Sequence, residues 1–310
     1  MPRPRICVVG SCMIDLISTV PRLPIVGETL VGGSFHLGYG GKGANQAVAA
    51  ARLGAAVSMV AKVGRDAFGD GTLGNFRENG VDTAHVGYDE TRFSGAASIL
   101  VDSRADNAIV IVPGANDGLS PDDVREARET ILGSDLLCCQ LEIPVETTLE
   151  ALRLAHAGGV RTILNPAPAA PFPDETLRLA DVCVPNEVEA QMLTGTSVGD
   201  LEQAGTAALQ LLERGPTHVI VTLGSRGALL VDRRSSTHVP PVQVAAVDPT
   251  GAGDAFIGAL AVFIGEGHDL AAAATAAAAV AALSVTQIGT QVSFPARREA
   301  DAFRASVGRA

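Results

Sequence analysis

The chain has 310 residues, of which 47% are hydrophobic, enough to core one large α/β domain or two ordinary ones. Aromatic residues make up only 4%, Trp is absent and the formal charge is −11, so no nucleic-acid partner is expected, because polyanion binders normally carry a basic face. The stretch from Leu270 to Val285 is mostly alanine and falls short of the roughly 20 strongly apolar residues of a membrane span, so no membrane partner is expected either.

In chain order, the first strand-like run is ICVVG, which follows basic residues and is itself too short an apolar run before Ser11 for a signal peptide. It leads into GSCMID and a proline- and glycine-containing segment, Ile14 to Tyr39, whose alternation in ETLVGGSFHLGYG predicts strands with one exposed face. GYGGKGAN follows, Gly38 to Asn45. Its G-x-G-x-x-G does not close a first βα turn, and Gly43 stands where a P-loop needs Ser or Thr, so both nucleotide fingerprints fail. A plain glycine turn into the helix ANQAVAAARLG would account for the glycines. It would not account for Lys42, whose charge opposes the helix dipole by about 0.3–1 kcal/mol at an exposed position.

SMVAKVG is the next buried strand, and Phe93 to Val112 is a second alternating segment. These two alternating segments, about residues 14–39 and 93–112, are expected to form a small sheet over the site as a lid. LLCCQLE, RTILNPAP, DVCVPN and HVIVTLG continue the strand series, each followed by a turn and most by a helix-like stretch. Continuous apolar runs imply strands covered on both faces, and strand–helix alternation implies a parallel sheet, hence a doubly wound α/β core. Ligands of such sheets gather at the carboxyl ends of the strands, which singles out Asp15, Glu142, Asn165, Asn186 and Thr222 with Gly224.

NEVEA reads either as an N-terminal capping box of Asn186 and Glu189 or as a carboxamide and carboxylate that order Mg²⁺ beside phosphates. TLGSRG, Thr222 to Gly227, reads either as a hairpin turn or as a nucleotide loop. In DPTGAGDAF, Asp248 and Asp254 bracket Gly251, Ala252 and Gly253 at the mouth of an apolar helix. Bared N–H groups there suit an anion, and a cap explains one carboxylate but not two. Cys7, Cys12, Cys138, Cys139 and Cys183 form no C-x-x-C pair and are expected to be buried thiols of a reducing, cytoplasmic protein. The six histidines show no metal-ligand spacing, and no G-x-S-x-G elbow is present.

GGKGANQAVAAARLGA and DPTGAGDAFIGAL resemble the two signatures of the ribokinase-like carbohydrate kinases, the phosphofructokinase-B superfamily. PGANDGLS, CQLEIP, LNPAPA, PNEVEAQMLTG, VTLGSRGA and GTQVSFP extend the resemblance over nearly the whole chain and narrow it to the ribokinase branch. The resemblance implies a single three-layer αβα kinase domain over 1–310, with a mostly parallel central sheet and a small β lid through which two copies pair. It implies ATP-dependent phosphorylation of D-ribose at O5, with Asp254 as base and Gly251, Ala252 and Gly253 offering N–H groups to the phosphoryl. Met13, Asp15, Gly41, Lys42, Gly43, Asn45 and Glu142 would surround the sugar. Asn186 and Glu189 would serve Mg²⁺ and phosphate. Thr222, Leu223, Gly224, Ser225, Arg226 and Gly227, with Gly253 and Ala278, would hold ATP. Asp248, Thr250, Ser284, Gln287, Gly289 and Ser293 would line a site for an activating K⁺. Met13 departs from the Asn usual two residues before the sugar-binding Asp, and Ala278 stands where Asn or His is common. Kinases of deoxyribose, fructose or a nucleoside therefore stay open, as does a non-catalytic sugar-binding regulator.

Overall fold

The computed structural model describes residues 3–104 and 106–307. The larger sheet has nine strands. Its parallel part comprises β1 (Arg5–Val9), β4 (Ala56–Gly64), β5 (Val81–Asp89), β8 (Leu136–Cys139), β9 (Arg161–Leu164), β10 (Val182–Cys183) and β11 (His218–Thr222). An antiparallel hairpin, β12 (Ala228–Val231) and β13 (Ser236–Val239), extends one edge, giving the order β13-β12-β11-β10-β9-β8-β1-β4-β5.

The unbroken apolar runs divide with period two between two cores, as strands covered on both faces must. In β1, Ile6 and Val8 face one core while Cys7 and Val9 face the other; Leu136 and Cys138 oppose Leu137 and Cys139 in β8 in the same way. The first core is closed by α1 (Lys42–Arg52), α2 (Ala67–Glu78), α9 (Ala252–Gly265), α10 (Leu270–Ser284) and α11 (Arg297–Val307). The second is closed by α3 (Pro121–Glu126), α4 (Arg128–Leu132), α5 (Val145–Ala157), α6 (Asp174–Arg178), α7 (Glu187–Thr194) and α8 (Leu201–Glu213). All five cysteines are free and buried, and burial holds their thiols above the ordinary range.

The two alternating segments form a separate four-stranded sheet of β2 (Met13–Thr19), β3 (Ser34–Gly40), β6 (Gly95–Val101) and β7 (Asn107–Val112), ordered β3-β2-β6-β7. The expected strand character of ETLVGG is not realised: residues 28–33 run as irregular chain, and pairing begins at Ser34. One face of this sheet and its edges leave Phe35, Leu37, Ile109 and Val110 exposed. No helix among the described residues is long and apolar enough to cross a membrane.

Candidate active site

From β1 the chain moves one way to β4 and β5 and later the other way to β8 through β11. The β1/β8 boundary is therefore the switch point where a doubly wound sheet opens a crevice at its carboxyl edge. Ser11, Gln140 and Glu142 follow those two strands, and Asn165, Asn186 and Thr222 end the next three. The N-termini of α1 and α9 arrive at the same edge, their axes brought close by Gly258, where a Cβ would lie 2.7 Å from Ala49 Cβ and 2.8 Å from the Gln46 carbonyl oxygen.

Asp254 is the third residue of α9 and is only 7% exposed. It does not cap its helix. The N-cap is Gly251, with no side-chain cap, and the Asp254 carboxylate turns toward α1, accepting from Asn45 Nδ2 at 2.9 Å and Gln46 Nε2 at 3.1 Å. Each oxygen thus holds one donor and keeps further lone-pair capacity for a ligand hydroxyl. Gln46 is fixed by Gln140 Nε2, which donates to Gln46 Oε1 at 2.6 Å, and Gln46 Nε2 also reaches Asn165 Oδ1 at 3.4 Å.

The glycine nest is narrower than the sequence suggests. The Ala252 N–H is spent on the Pro249 carbonyl at 3.2 Å, whereas those of Gly251 and Gly253 have no partner among the described residues. Gly251 is required by its φ of 78° and by Thr290 Cγ2, 2.5 Å from where a Cβ would stand. At Gly253 a Cβ would meet no atom within 4 Å, so the glycine faces open cleft. That cleft is lined by Lys42, Asn165, Asn186, Glu189, Thr222, Gly253 and Asp254. Asp254 does most to hold the Lys42 ammonium above its ordinary pKa; burial opposes this, and Glu142 and Glu189 add to it.

On the side of the four-stranded sheet, β2 carries Met13 and Asp15 on one face, opposite Gly40 and Gly38 of β3. Gly40 is the close approach: a Cβ there would lie 2.5 Å from Asp15 Oδ2. Burial, then the charges of Glu142 and Asp254, push the Asp15 carboxyl up to about 6. Met13 is 5% exposed. Glu142 Oε2 accepts from the Lys42 N–H at 2.9 Å and Ser11 Oγ at 2.6 Å, so it caps α1 from 100 residues away. Gly41 and Gly43 sit tight against backbone, with a Cβ 2.8 Å from Met13 N and 2.7 Å from the Gly10 carbonyl carbon respectively.

Asn186 and Glu189 do form the capping box: Asn186 Oδ1 accepts from Glu189 N, and the Glu189 carboxylate accepts from Asn186 N and Nδ2 at 2.8 and 2.9 Å. Both still face the cleft, and burial raises the Glu189 carboxyl against the pull of its hydrogen bond and of Lys42. TLGSRG does turn a hairpin between β11 and β12, with Gly224 and Gly227 at φ 54° and 87°. Of its residues, Leu223 is buried in the second core and offers only backbone. Arg226 pairs with Glu187 and the Gly199 carbonyl. Ala278 lies half-buried on α10, packed against the first core.

The two loops proposed for a monovalent cation are tied together. Asp248 Oδ1 accepts from Thr250 N and Oδ2 from Gly289 N, both at 2.9 Å, and Asp248 N donates to Val285 O. Burial works against this carboxylate, but those bonds hold it below its ordinary pKa. The Ser284 and Ser293 hydroxyls bond back to the Ala281 and Thr290 carbonyls, and Gln287 is exposed. Among the described residues no group of three or more His, Cys, Asp or Glu side chains is arranged to hold a metal. Gln46, Gln140 and Gln291 are not legible in the sequence, because an isolated amide in a helix or after a strand carries no spacing signal; Asn165 stands out there only as a strand end.

A switch-point crevice holding a carboxylate, a lysine and a glycine-opened helix end has the groups that phosphoryl transfer to a small molecule needs. The chain matches the pfkB family carbohydrate kinases over residues 3–297 and belongs to that family. It is 43% identical to a ribokinase of Mus musculus, with 95% of this chain and 93% of the relative covered. It is equally 43% identical to a deoxyribokinase of Salmonella typhi, covering 94% and 95%. The structure of Arabidopsis thaliana ribokinase complexed with ribose and ATP superposes with a TM-score of 0.91 at 32% identity, over 97% of this chain and 99% of that one.

Proposed function

We propose that this chain is an ATP-dependent ribokinase that transfers the γ-phosphoryl of ATP to O5 of D-ribose, working as one kinase domain with the four-stranded sheet as its lid. The observation that carries the reading is Asp254: a buried carboxylate aimed by two amides, beside unpartnered Gly251 and Gly253 N–H groups and the Lys42 ammonium. The sugar's primary hydroxyl would sit against the free lone pairs of Asp254, which takes its proton as O5 attacks. The Gly251 and Gly253 N–H groups and Lys42 would meet the negative charge on the moving phosphoryl, so that catalysis is positioning and charge stabilisation. Asp15, Asn45 and Glu142 would orient the other hydroxyls, with Gly41 and Gly43 letting the start of α1 close on residues 10–13. The TLGSRG hairpin and Ala278 would border the nucleotide, the loop mainly through backbone.

The donor set near Glu189 fits a divalent cation held by phosphates and water rather than by a protein cage, since each Glu189 oxygen already accepts one bond and keeps one side free. Such an ion, when bound, neutralises phosphate charge. The Asp248 crosslink between residues 248–250 and 285–289 fits a K⁺ site built from carbonyls of those loops. Exposed Phe35, Leu37, Ile109 and Val110 support pairing of two copies through the lid.

Deoxyribose is the second reading, supported by buried Met13 beside Asp15 and by the 43% identity to a deoxyribokinase. An ADP-release assay over ribose, deoxyribose, fructose and nucleosides decides. Ribose should give the highest kcat/KM, and Met13→Asn should move the ribose-to-deoxyribose ratio toward ribose. A higher kcat/KM for deoxyribose, fructose or a nucleoside overturns the ribose assignment.

A further inference from the structure

The buried amides behind Asp254 form a directional chain. A carboxylate only accepts, so Asn45 must donate Nδ2 to Asp254 and turn its Oδ1 away as an acceptor. Gln291 Nε2 donates to that oxygen at 3.0 Å, and Gln291 Oε1 accepts from Asn75 Nδ2 at 2.8 Å. Asn79 donates to the Asn75 carbonyl and accepts from Arg52 Nε, each at 2.8 Å. Arg52 closes the ring by donating to the backbone oxygens of Gln291 and Phe294 at 2.6 and 2.9 Å. The Asn45, Gln291 and Asn75 amides are thus oriented in turn from the carboxylate end, and Arg52, which only donates, orients Asn79 from the other. Gln291 is 4% exposed, and its neighbours Thr290 and Phe294 are the groups packed against Gly251 at the mouth of α9.

We infer that Gln291 is a positioning residue for phosphoryl transfer: by donating to Asn45 Oδ1 it keeps the Asn45 NH₂ on Asp254 and so aims the free lone pairs of that carboxylate at the acceptor hydroxyl. The inference rests on Asp254 as the base. Without the Gln291 donor, Asn45 Oδ1 is buried and unpaired, and the amide, still bonded to Asp254 through Nδ2, is anchored at one end only. The amide can then swing about its side-chain torsions and let the Asp254 carboxylate drift out of line with the acceptor hydroxyl. A merely structural Gln291 would instead cost stability and leave the kinetics of the folded enzyme unchanged.

The test compares wild type with Gln291→Met, Gln291→Glu, Asn45→Ala and the Gln291→Met/Asn45→Ala double variant, each shown folded by circular dichroism and assayed below its melting temperature. Gln291→Met should lower kcat/KM for the sugar by about tenfold, the equivalent of one well-placed hydrogen bond, with the KM for ATP little changed. Gln291→Glu keeps the acceptor for Asn75 but opposes Asn45 Oδ1 with a carboxylate oxygen, so it should lose at least as much. Because Gln291 acts through Asn45, the double variant should match Asn45→Ala within about twofold, a coupling that independent structural effects do not produce. Sugar kinetics of folded Gln291→Met equal to wild type, or additive losses in the double variant, overturn the inference. Asp254→Asn run alongside separates the two layers: if it stays active the base assignment fails, and if it is inactive while Gln291→Met is unaffected only the role of Gln291 fails.

Discussion

Replacing Asp15 by Asn should make the protein more stable and a worse enzyme. Asp15 sits on β2 against Gly40, with its carboxyl pushed from the ordinary 3.8 up to about 6 by burial and then by Glu142 and Asp254. A carboxyl whose folded pKa is raised binds its proton more tightly when folded, so its stability contribution falls as pH rises from about 4 to about 6 and stays low above. At about 1.36 kcal/mol per unit, the difference amounts to about 3 kcal/mol at neutral pH, an upper bound because solvent reaches part of the group. Asn keeps the shape and loses the charge. The variant should melt about 2–4 °C above wild type at pH 8, and the gap should close by pH 4, where the native Asp is protonated. Sugar affinity should fall in parallel, since a charged acceptor of hydroxyl hydrogen bonds is worth about 1.5–3 kcal/mol. Thermal melts across pH 4–8, with calorimetric titration of ribose, measure both. A variant less stable at pH 8, or a gap that does not narrow on acidification, refutes the argument.

The two glycines at the mouth of α9 should respond oppositely to alanine. Gly253→Ala meets no protein atom, so the melting temperature should hold or rise while kcat falls and the KM for ATP rises; an unchanged kcat would remove Gly253 from the phosphoryl path. Gly251→Ala, strained at φ 78° and against Thr290, should destabilise the fold by about 1–3 kcal/mol in a denaturant titration. With the Asp248 crosslink holding a carbonyl site, K⁺ should raise turnover above Na⁺ or choline at equal ionic strength, and Asp248→Ala should abolish the difference; equal rates in all three salts would remove the cation site.

The strands of the parallel sheet were legible because β-branched runs covered on two faces leave an unbroken apolar signal, and β2, β3, β6 and β7 because alternation marks a one-sided sheet. The same rule overreached at residues 28–33, where alternation without a pairing partner forms no strand. Asp254, Lys42, Asn186 and Glu189 were visible as chemistry at helix starts. Their partners were not. Glu142 caps α1 across 100 residues, Gln291 reaches Asn45 across 246, and Gln46 reaches Asp254 across 208. Such pairings depend on how α1 and α9 pack, through Gly258, and no local pattern encodes them. The loss of the Ala252 N–H to Pro249 is likewise a detail of turn geometry, invisible in the letters GAG.

In the proposed reaction Asp254 accepts the proton of the sugar hydroxyl. Asp254→Asn retains the shape, and because Asp254 does not cap α9, no helix-capping role is there to be preserved or lost. Steady-state turnover with ribose and ATP, set beside calorimetric ribose binding on the same folded variant, separates proton acceptance from binding. As the base, Asp254 leaves the Asn variant with a kcat lower by about 10²–10⁴ and ribose affinity changed far less. A folded Asp254→Asn variant whose kcat stays near wild type would contradict it.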